Sequence, residues 1–167
     1  MNVTISSAIL LITTIIAASI FTGAALSQLY SFQNSLKEIS SKNQEIFGSS
    51  IEIISEAKAT SPNRILIWLK NIGQTSFSLD GGGYNTTYWD LFITFPNGSY
   101  TRFDYTNPCA SNCWTAQILN DKGTVGLWEY GETLQITVYT SSIPSGSYGA
   151  RIALPNGVTC EDKFSFA

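Results

Sequence analysis

Residues 8–26 read AILLITTIIAASIFTGAAL, and this stretch decides the architecture of the whole chain. Ala, Ile, Leu and Phe dominate it, and only Thr, Ser and one Gly interrupt them. Because a helix needs about 20 mainly apolar residues to cross a hydrocarbon core of ~30 Å, the stretch predicts a transmembrane helix. Thr and Ser are compatible with lipid, since each hydroxyl can bond to the main chain of its own helix.

A cleaved secretory signal and a buried core helix are the two alternatives to a membrane anchor. A secretory signal has a basic first segment and a shorter apolar core. Residues 1–4 contain no Lys or Arg, and the first charged side chain of the chain is Lys37. A globular cytosolic protein rarely begins with so long an uncharged segment, so we expect an uncleaved anchor.

Residues 27–50 are more polar but remain compatible with a helix. Their apolar positions recur at spacings of 3, 4 and 7, which predicts a helical stalk with one apolar face: Leu29, Phe32, Leu36, Ile39, Ile46 and Phe47. That face packs either on the protein's own domain or on neighbouring subunits. We therefore divide the chain into residues 1–50, a membrane helix with an amphipathic stalk, and residues 51–167, an extracytoplasmic domain.

From Ile51 onward, short apolar runs alternate with turn signals, and helical periodicity is absent from the sequence. Pro96-Asn97-Gly98 and Pro155-Asn156-Gly157 predict two hairpin turns. The pattern predicts an all-β fold, an immunoglobulin-like antiparallel β-sandwich. We expect its core to include the four tryptophans, and its strands to cover residues 51–57, 65–69, 77–79, 88–95, 100–105, 114–119, 125–128, 134–139, 148–154 and 158–166.

The sequence offers little for catalysis. It has no histidine, which removes the commonest general base and metal ligand. Two pairs of acids, Glu129 with Glu132 and Asp90 with Asp104, are the strongest remaining candidates, and we interpret them as solvated. Residues 81–83 are three glycines without a following helix pattern or Lys-Ser/Thr, so they predict a turn rather than a phosphate loop. We expect no enzyme, no cofactor and no metal site.

The net charge is −3, and the nine Lys and Arg residues are scattered along the chain. Binding to nucleic acid requires clustered basic side chains. We therefore expect no nucleic-acid partner.

Three cysteines indicate an oxidising environment. Cys109 and Cys113 bracket a short loop, Cys-Ala-Ser-Asn-Cys, and a disulfide between them is the leading prediction. The alternative pairs Cys160 with one of the two. Either bond would place the domain outside the cytoplasm.

Two sequons fall in predicted loops or turns, and they support the same location. Asn85 and Asn97 are the candidate glycosylation sites, while a third sequon at Asn2 precedes the membrane helix. The positive-inside rule gives weaker guidance, because Lys37 and Lys42 flank the apolar segment on the side that we place outside.

An apolar surface is the main candidate for function. Apolar residues follow the cysteine loop and recur after a turn at residues 121–123, and we expect some of them to form an assembly interface, ordinary core being the alternative: Trp114, Ile118, Leu119, Val125 and Leu127.

Several segments, taken in their order and spacing, resemble archaellum accessory proteins of the FlaG and FlaF type, relatives of archaellin, with FlaG the better match. The resemblance covers nearly the whole chain and involves Ile5-Ser6-Ser7-Ala8-Ile9, Ser35-Leu36-Lys37-Glu38, Ile51-Glu52-Ile53-Ile54, Leu69-Lys70-Asn71-Ile72-Gly73, Gly131-Glu132-Thr133-Leu134, Gly146-Ser147-Tyr148 and Leu154-Pro155-Asn156-Gly157-Val158.

The resemblance implies a structural, non-enzymatic part of the archaellum, the motility filament of archaea. Proteins of this type are expected to anchor the motor or stator in the cell envelope, with a single-pass membrane helix and the β-domain in the pseudoperiplasmic space. Expected partners are a FlaF- or FlaG-type protein and the surface-layer protein, in a homo- or hetero-oligomer. The alternative is an archaellin or type IV pilin-like filament subunit, whose signal would end in a basic residue and Gly before the helix; no Lys or Arg precedes Lys37.

Overall fold

One long helix, α1, occupies Asn2–Gly48 in the computed structural model, which describes residues 2–60, 63–79 and 86–167. The chain forms two compact units, Met1–Asn43 and Gln44–Ala167. In the first unit, large apolar side chains are exposed on all sides of the helix. A helix that is apolar all round requires an apolar environment, and Ser6–Gly48 has the length and composition to cross a membrane.

The hydroxyl groups within the apolar segment bond to their own helix, as the sequence predicts. The Oγ1 of Thr14 donates to the main-chain oxygen of Leu11 at 2.8 Å, and Thr22 donates to Ala18 at 2.8 Å. Ser19 donates in the same way to Ile15 at 2.8 Å. Because these polar groups are satisfied internally, they add little cost to the transfer of the helix into lipid.

After the end of α1, the described residues of the second unit form ten strands and a short 3-10 turn at Thr86–Tyr88. The strands are β1 (Ile51–Thr60), β2 (Asn63–Asn71), β3 (Phe77–Ser78), β4 (Asp90–Thr94), β5 (Tyr100–Tyr105), β6 (Cys113–Ile118), β7 (Leu127–Trp128), β8 (Thr133–Tyr139), β9 (Gly146–Ala153) and β10 (Thr159–Phe166).

Eight of the strands form one hydrogen-bonded sheet in the order β1-β2-β8-β6-β5-β4-β9-β10, and β3 pairs with β7. The large sheet has two antiparallel halves, β1-β2-β8-β6 and β5-β4-β9-β10, joined by a short parallel pairing between β5 and β6. Buried residues of both halves belong to one core cluster. The predicted β-sandwich after a long apolar helix is therefore confirmed, whereas the parallel pairing of β5 with β6 departs from the antiparallel prediction.

The core follows the period of two that the sequence shows. In β8, Leu134, Ile136 and Val138 are buried while the intervening side chains face outward. Trp89, Trp114 and Trp128 are also buried, as predicted. The expectation is wrong for Trp68, which lies half-buried on the outward face of β2, because alternation directs its neighbours Ile67 and Leu69 inward.

Both predicted hairpin turns are present. Residues 96–98 connect β4 to β5, and residues 155–157 connect β9 to β10. Gly98 and Gly157 have φ angles of 80° and 88°, a backbone conformation that glycine adopts without a steric penalty. The strand expected from residue 88 starts at Asp90 instead, and the glycine-rich turn at residues 80–83 lies outside the described residues.

Candidate functional site: the loop between strands β6 and β8

The predicted interface residues fall into three classes of exposure. Val125 is 92% exposed and Leu119 is 49% exposed, and both lie in residues 119–132, which we call the β6–β8 loop. Leu127 is half-buried, and Ile118 packs against the core. Trp114 is completely buried, so its assignment to a surface is wrong.

The physical reason lies in the packing of Trp114 between two other aromatic rings. Its ring centroid is 5.0 Å from that of Tyr105 and 6.3 Å from that of Trp89. These contacts belong to the interior of the sandwich, where aromatic side chains bury the largest apolar area. The candidate surface is therefore the β6–β8 loop alone.

The buried side chain of Glu132 stabilises the β6–β8 loop by hydrogen bonds to its main chain. Its side chain is only 4% exposed. Oε1 accepts hydrogen bonds from the main-chain N–H groups of Lys122 at 2.8 Å and Gly123 at 3.4 Å, and Oε2 accepts one from Glu129 at 2.8 Å. The interpretation of Glu132 as a solvated acid is thus wrong, and the carboxylate has a structural role.

These hydrogen bonds also determine the protonation of Glu132. Burial by itself acts to raise the pKa of the carboxyl group. The N–H donors of Glu129, Lys122 and Gly123, together with the positive charge of Lys122, outweigh it, and the pKa of Glu132 is lowered. The group is consequently ionised at neutral pH.

Two further carboxylates fix the tip of the loop on either side of Val125. Glu129 Oε2 accepts a 2.9 Å hydrogen bond from the N–H of Thr124. Asp121 Oδ2 accepts one of 3.0 Å from the N–H of Gly126. Because both neighbours of Val125 are held in this way, its exposed isopropyl group is presented on a well-bonded main chain.

Asn71, at the end of β2, connects the loop to the rest of the unit. Its side chain is fully buried. Nδ2 donates to the main-chain oxygens of Thr75 at 2.9 Å and Trp128 at 3.2 Å, and Oδ1 accepts from the N–H of Gly73 at 3.0 Å. Its main-chain oxygen accepts a 2.7 Å hydrogen bond from Gly131. One side chain therefore supports two surface segments.

The last turn of α1, residues 44–48, belongs to the same compact unit and bonds to the segment after β2. Gly48, at its end, accepts hydrogen bonds from the N–H groups of Gln74 at 2.6 Å and Thr75 at 3.1 Å. These bonds satisfy a carbonyl group that the end of a helix leaves without a partner. The last turn of α1, the segment after β2 and the β6–β8 loop all carry exposed apolar side chains: Phe47, Ile72, Leu119, Val125 and Tyr130.

The structure shows the positions of the three cysteines and of one candidate glycosylation site. A disulfide joins Cys109 to Cys113, with 5.8 Å between the Cα atoms. Cys160 is a free, half-buried thiol whose pKa is raised by burial. Asn97 is exposed in the β4–β5 turn, and Asn85 lies outside the described residues. Glycosylation at either position stays a prediction.

The other acids considered for catalysis form a surface ion-pair cluster. Arg102 Nε lies 2.7 Å from Asp90 Oδ1, and Arg102 Nη2 lies 3.5 Å from Asp104 Oδ1. All three side chains are substantially exposed. Within the described part of the chain, His, Cys, Asp and Glu side chains do not gather into a group of three that could hold a metal ion.

Comparison with known proteins assigns the chain to a family. The profile of archaeal-type flagellins matches residues 2–164. The chain belongs to the archaeal-type flagellin family. An uncharacterized protein of Archaeoglobus fulgidus is 29% identical over 168 residues, an alignment that covers 97% of each chain.

Two solved structures have the same fold as the β-domain. The archaellum periplasmic stator protein FlaG from Sulfolobus acidocaldarius is similar with a TM-score of 0.53 and 24% identity, covering 70% of this chain and 99% of that one. A chain of the stator complex of FlaF and FlaG from the same organism gives a TM-score of 0.52 and 26% identity, covering 68% and 87%. The resemblance to archaellum stator proteins is confirmed, and the protein is stator-like and archaellum-related.

Proposed function

We propose that the protein is a structural, non-enzymatic component of the archaellum that anchors the stator in the cell envelope and assembles through the β6–β8 loop. One observation carries the second half of this proposal: Val125 is 92% exposed on a loop whose main chain is fixed by three carboxylates. A rigidly presented apolar side chain lowers the entropy lost on association. The filament-subunit alternative is less favoured, because the similar solved structures are stator proteins.

The anchor in this proposal is helix α1. It is long and apolar enough to cross a bilayer, and its hydroxyl groups are bonded internally. The β-domain then lies outside the cytoplasm, where the Cys109–Cys113 disulfide persists. Lys37 and Lys42 argue for the opposite orientation, so topology requires a direct test.

The partners proposed for the β6–β8 loop are a FlaF- or FlaG-type protein, in a homo- or hetero-oligomer, and the surface-layer protein beyond it. FlaF and FlaG from Sulfolobus acidocaldarius form a stator complex with each other, and one chain of that complex is 26% identical to this one. Leu119 and Val125 are both exposed apolar side chains of this loop, and exposed apolar surface is typical of protein interfaces.

Assembly is tested with the full chain in detergent, alone and with the FlaF-type protein of the same organism. Val125→Lys places a charge in the proposed contact, and we expect at least a tenfold weaker association by analytical ultracentrifugation with little change in melting temperature. Tyr100→Lys is the matched control, because Tyr100 is also an exposed, largely apolar side chain but lies on β5. Association unchanged by Val125→Lys, or equally weakened by Tyr100→Lys, would contradict the proposed interface.

Topology is tested by placing one reactive thiol in the β-domain. Ser142 lies in an exposed segment between β8 and β9, so Ser142→Cys in a Cys160→Ser background presents an accessible thiol. We expect a membrane-impermeant maleimide to label it in intact cells expressing the protein. Labelling only after permeabilisation would place the domain in the cytoplasm and reject the orientation.

A further inference from the structure

A groove of about 500 Å³ lies on the outward face of β2, β8 and β6. Strand register explains which side chains line it. Arg64 pairs with Tyr139 across β2 and β8, and Thr137 and Gln135 pair with Thr115 and Gln117 across β8 and β6. These positions alternate with the buried residues of the same strands, so their side chains share the outward face.

The disulfide loop forms one wall of this groove. Residues 107–109 line one side of the groove, and the disulfide between Cys109 and Cys113 closes the loop that carries them. The N–H of Thr106 donates to the main-chain oxygen of Trp114 at 3.1 Å, which holds the loop against β6. The groove therefore has a defined wall and a floor made by a sheet, and its size is within the ~300–1,000 Å³ of small-molecule sites.

Gln135, Thr137 and Arg64 show how polar side chains that line the groove are bonded. Gln135 Nε2 and Thr137 Oγ1 are 3.4 Å apart, a long hydrogen bond. Arg64 Nε is buried and lacks a hydrogen-bond partner among residues 2–60, 63–79 and 86–167. The guanidinium carbon of Arg64 lies 4.8 Å from the ring centroid of Tyr139, so stacking holds the charged plane in position. Buried polar groups normally have hydrogen-bond partners, so this unpaired N–H group is a candidate donor to a molecule bound in the groove.

The chemistry of the lining defines the ligand. Asn, Gln and Thr side chains both donate and accept hydrogen bonds, as sugar hydroxyl groups do. Among the described residues that line the groove, Arg64 carries a positive charge and carboxylates are absent. The guanidinium group of an arginine can bind a carboxylate through two parallel N–H···O hydrogen bonds. An extended peptide could not add to the sheet here, because β2, β8 and β6 each have a neighbour on both sides.

We propose that this groove binds an acidic saccharide, with the carboxylate of a uronic acid on Arg64 and its hydroxyl groups on Thr115, Thr137 and the neighbouring amides. The described residues that line the groove do not include residues 119–132, and the inference does not depend on the proposed function. A second groove, near Arg151, Glu161 and Lys163 on β9 and β10, carries both signs of charge and supplies the control residue.

The test uses the full chain in detergent and isothermal titration calorimetry with a β-1,4-linked glucuronate trisaccharide. Cellotriose is the neutral equivalent, and N-acetylglutamate represents a carboxylate without a sugar ring. We expect the uronate to bind at least tenfold more tightly than either of the other two. Arg64→Gln and Thr137→Val should each weaken uronate binding, the first at least tenfold, while Arg151→Gln leaves it unchanged.

Several outcomes would overturn the proposal. They are the absence of uronate binding, equal affinity for N-acetylglutamate (which would favour an acidic protein segment), and equal loss of affinity in Arg151→Gln. Thermal unfolding of each variant shows that the fold is intact. If Arg64→Gln does not fold, the test depends on Thr137→Val alone, because this change replaces a hydroxyl by a methyl group of similar size. An unaltered affinity of Thr137→Val for the uronate then rejects the site.

Discussion

The main-chain oxygen of Gly48 accepts a 2.6 Å hydrogen bond from the N–H of Gln74, so the last residue of helix α1 is bonded directly to the segment that follows β2. The N–H of Ile72 donates to the main-chain oxygen of Ser50 at 2.9 Å, which continues this contact. Gly73 lies between these two bonds. A β-carbon added at Gly73 would clash with the main chain of Gly48 and Ser50.

This contact predicts that Gly73→Ala is strongly destabilising. The clash involves main-chain atoms, which cannot move aside as a flexible side chain can. We expect a loss of more than about 2 kcal/mol in the free energy of unfolding, measured by urea denaturation of the full chain in detergent. Gly149→Ala is the matched control, because a β-carbon there would lie 3.6 Å from Thr94 in ordinary contact. Equal stability of the two variants would show that the segment after β2 adapts easily.

A second prediction concerns the buried carboxylate of Glu132. Glu132→Gln replaces one acceptor oxygen by an NH₂ group that faces main-chain donors, so we expect a loss of about 2 kcal/mol at pH 7. Glu161→Gln, at an exposed position on β10, should change stability by less than about 0.5 kcal/mol. Circular dichroism during urea unfolding measures both.

The same variant has a defined pH dependence. The pKa of Glu132 is lowered in the folded state, so its carboxylate stabilises the fold above the ordinary glutamate pKa of about 4.3. That contribution is lost as the pH falls through the folded-state pKa. The difference between wild type and Glu132→Gln should therefore be largest near neutral pH and shrink in acid. A difference that stays constant down to pH 2 would refute the role of the charge.

The contrast between Glu132 and the hairpin turns shows what the sequence could reveal. Pro96-Asn97-Gly98 predicts its turn because the signal is local: glycine supplies the positive φ that the turn requires. The sequence does not predict the burial of Glu132, because its donors, Lys122, Gly123 and Glu129, surround it only after the loop folds. The only local feature in the sequence near Glu132 is the strand that follows it, and that strand does not indicate whether the Glu132 side chain is buried.

The disulfide loop illustrates the same limit for topology. Alternating apolar residues predict β5 and β6 as strands, but they do not predict how the two strands pair. The structure pairs Asp104 with Cys113 and Tyr105 with Trp114 in parallel, and the chain passes there between the two halves of the sandwich. Alternation determines which face of a strand is buried, but it does not determine the neighbouring strand. The same long-range packing buries Trp114.

The Cys109–Cys113 bond predicts a measurable stabilisation. It closes a ring of five residues, for which loop entropy gives about 2 kcal/mol. We expect urea unfolding in the presence of a phosphine reductant to show that loss relative to the oxidised protein. Cys160→Ser should respond to the reductant as wild type does, because Cys160 is free. Should the reductant leave stability unchanged, the parallel pairing of β5 and β6 holds the loop without the bond.

Glu56 on β1 and Asp162 on β10 form a carboxyl pair where the two outer strands of the sheet meet. Burial, the negative charge of Asp162 and a hydrogen bond between the two side chains raise the pKa of Glu56. The folded state then binds a proton more tightly than the unfolded state does. The contribution of Glu56 to stability should consequently rise as the pH falls through the raised pKa, and it should reach its full value below about pH 4.3.

Glu56→Gln therefore has an expected sign that changes with pH. At pH 7 the ionised pair is repulsive, so the variant should be more stable than wild type, and in acid the difference should vanish. Glu52→Gln, at an exposed position on the same strand, is the control and should show no such trend. The double variant with Asp162→Asn should gain less than the sum of the two single variants, because either change removes the same repulsion. Additive gains in the double variant, or a Glu56→Gln variant that is less stable than wild type at pH 7, would mean that the two carboxyl groups do not interact. The contact between β1 and β10 would then not become more stable in acid.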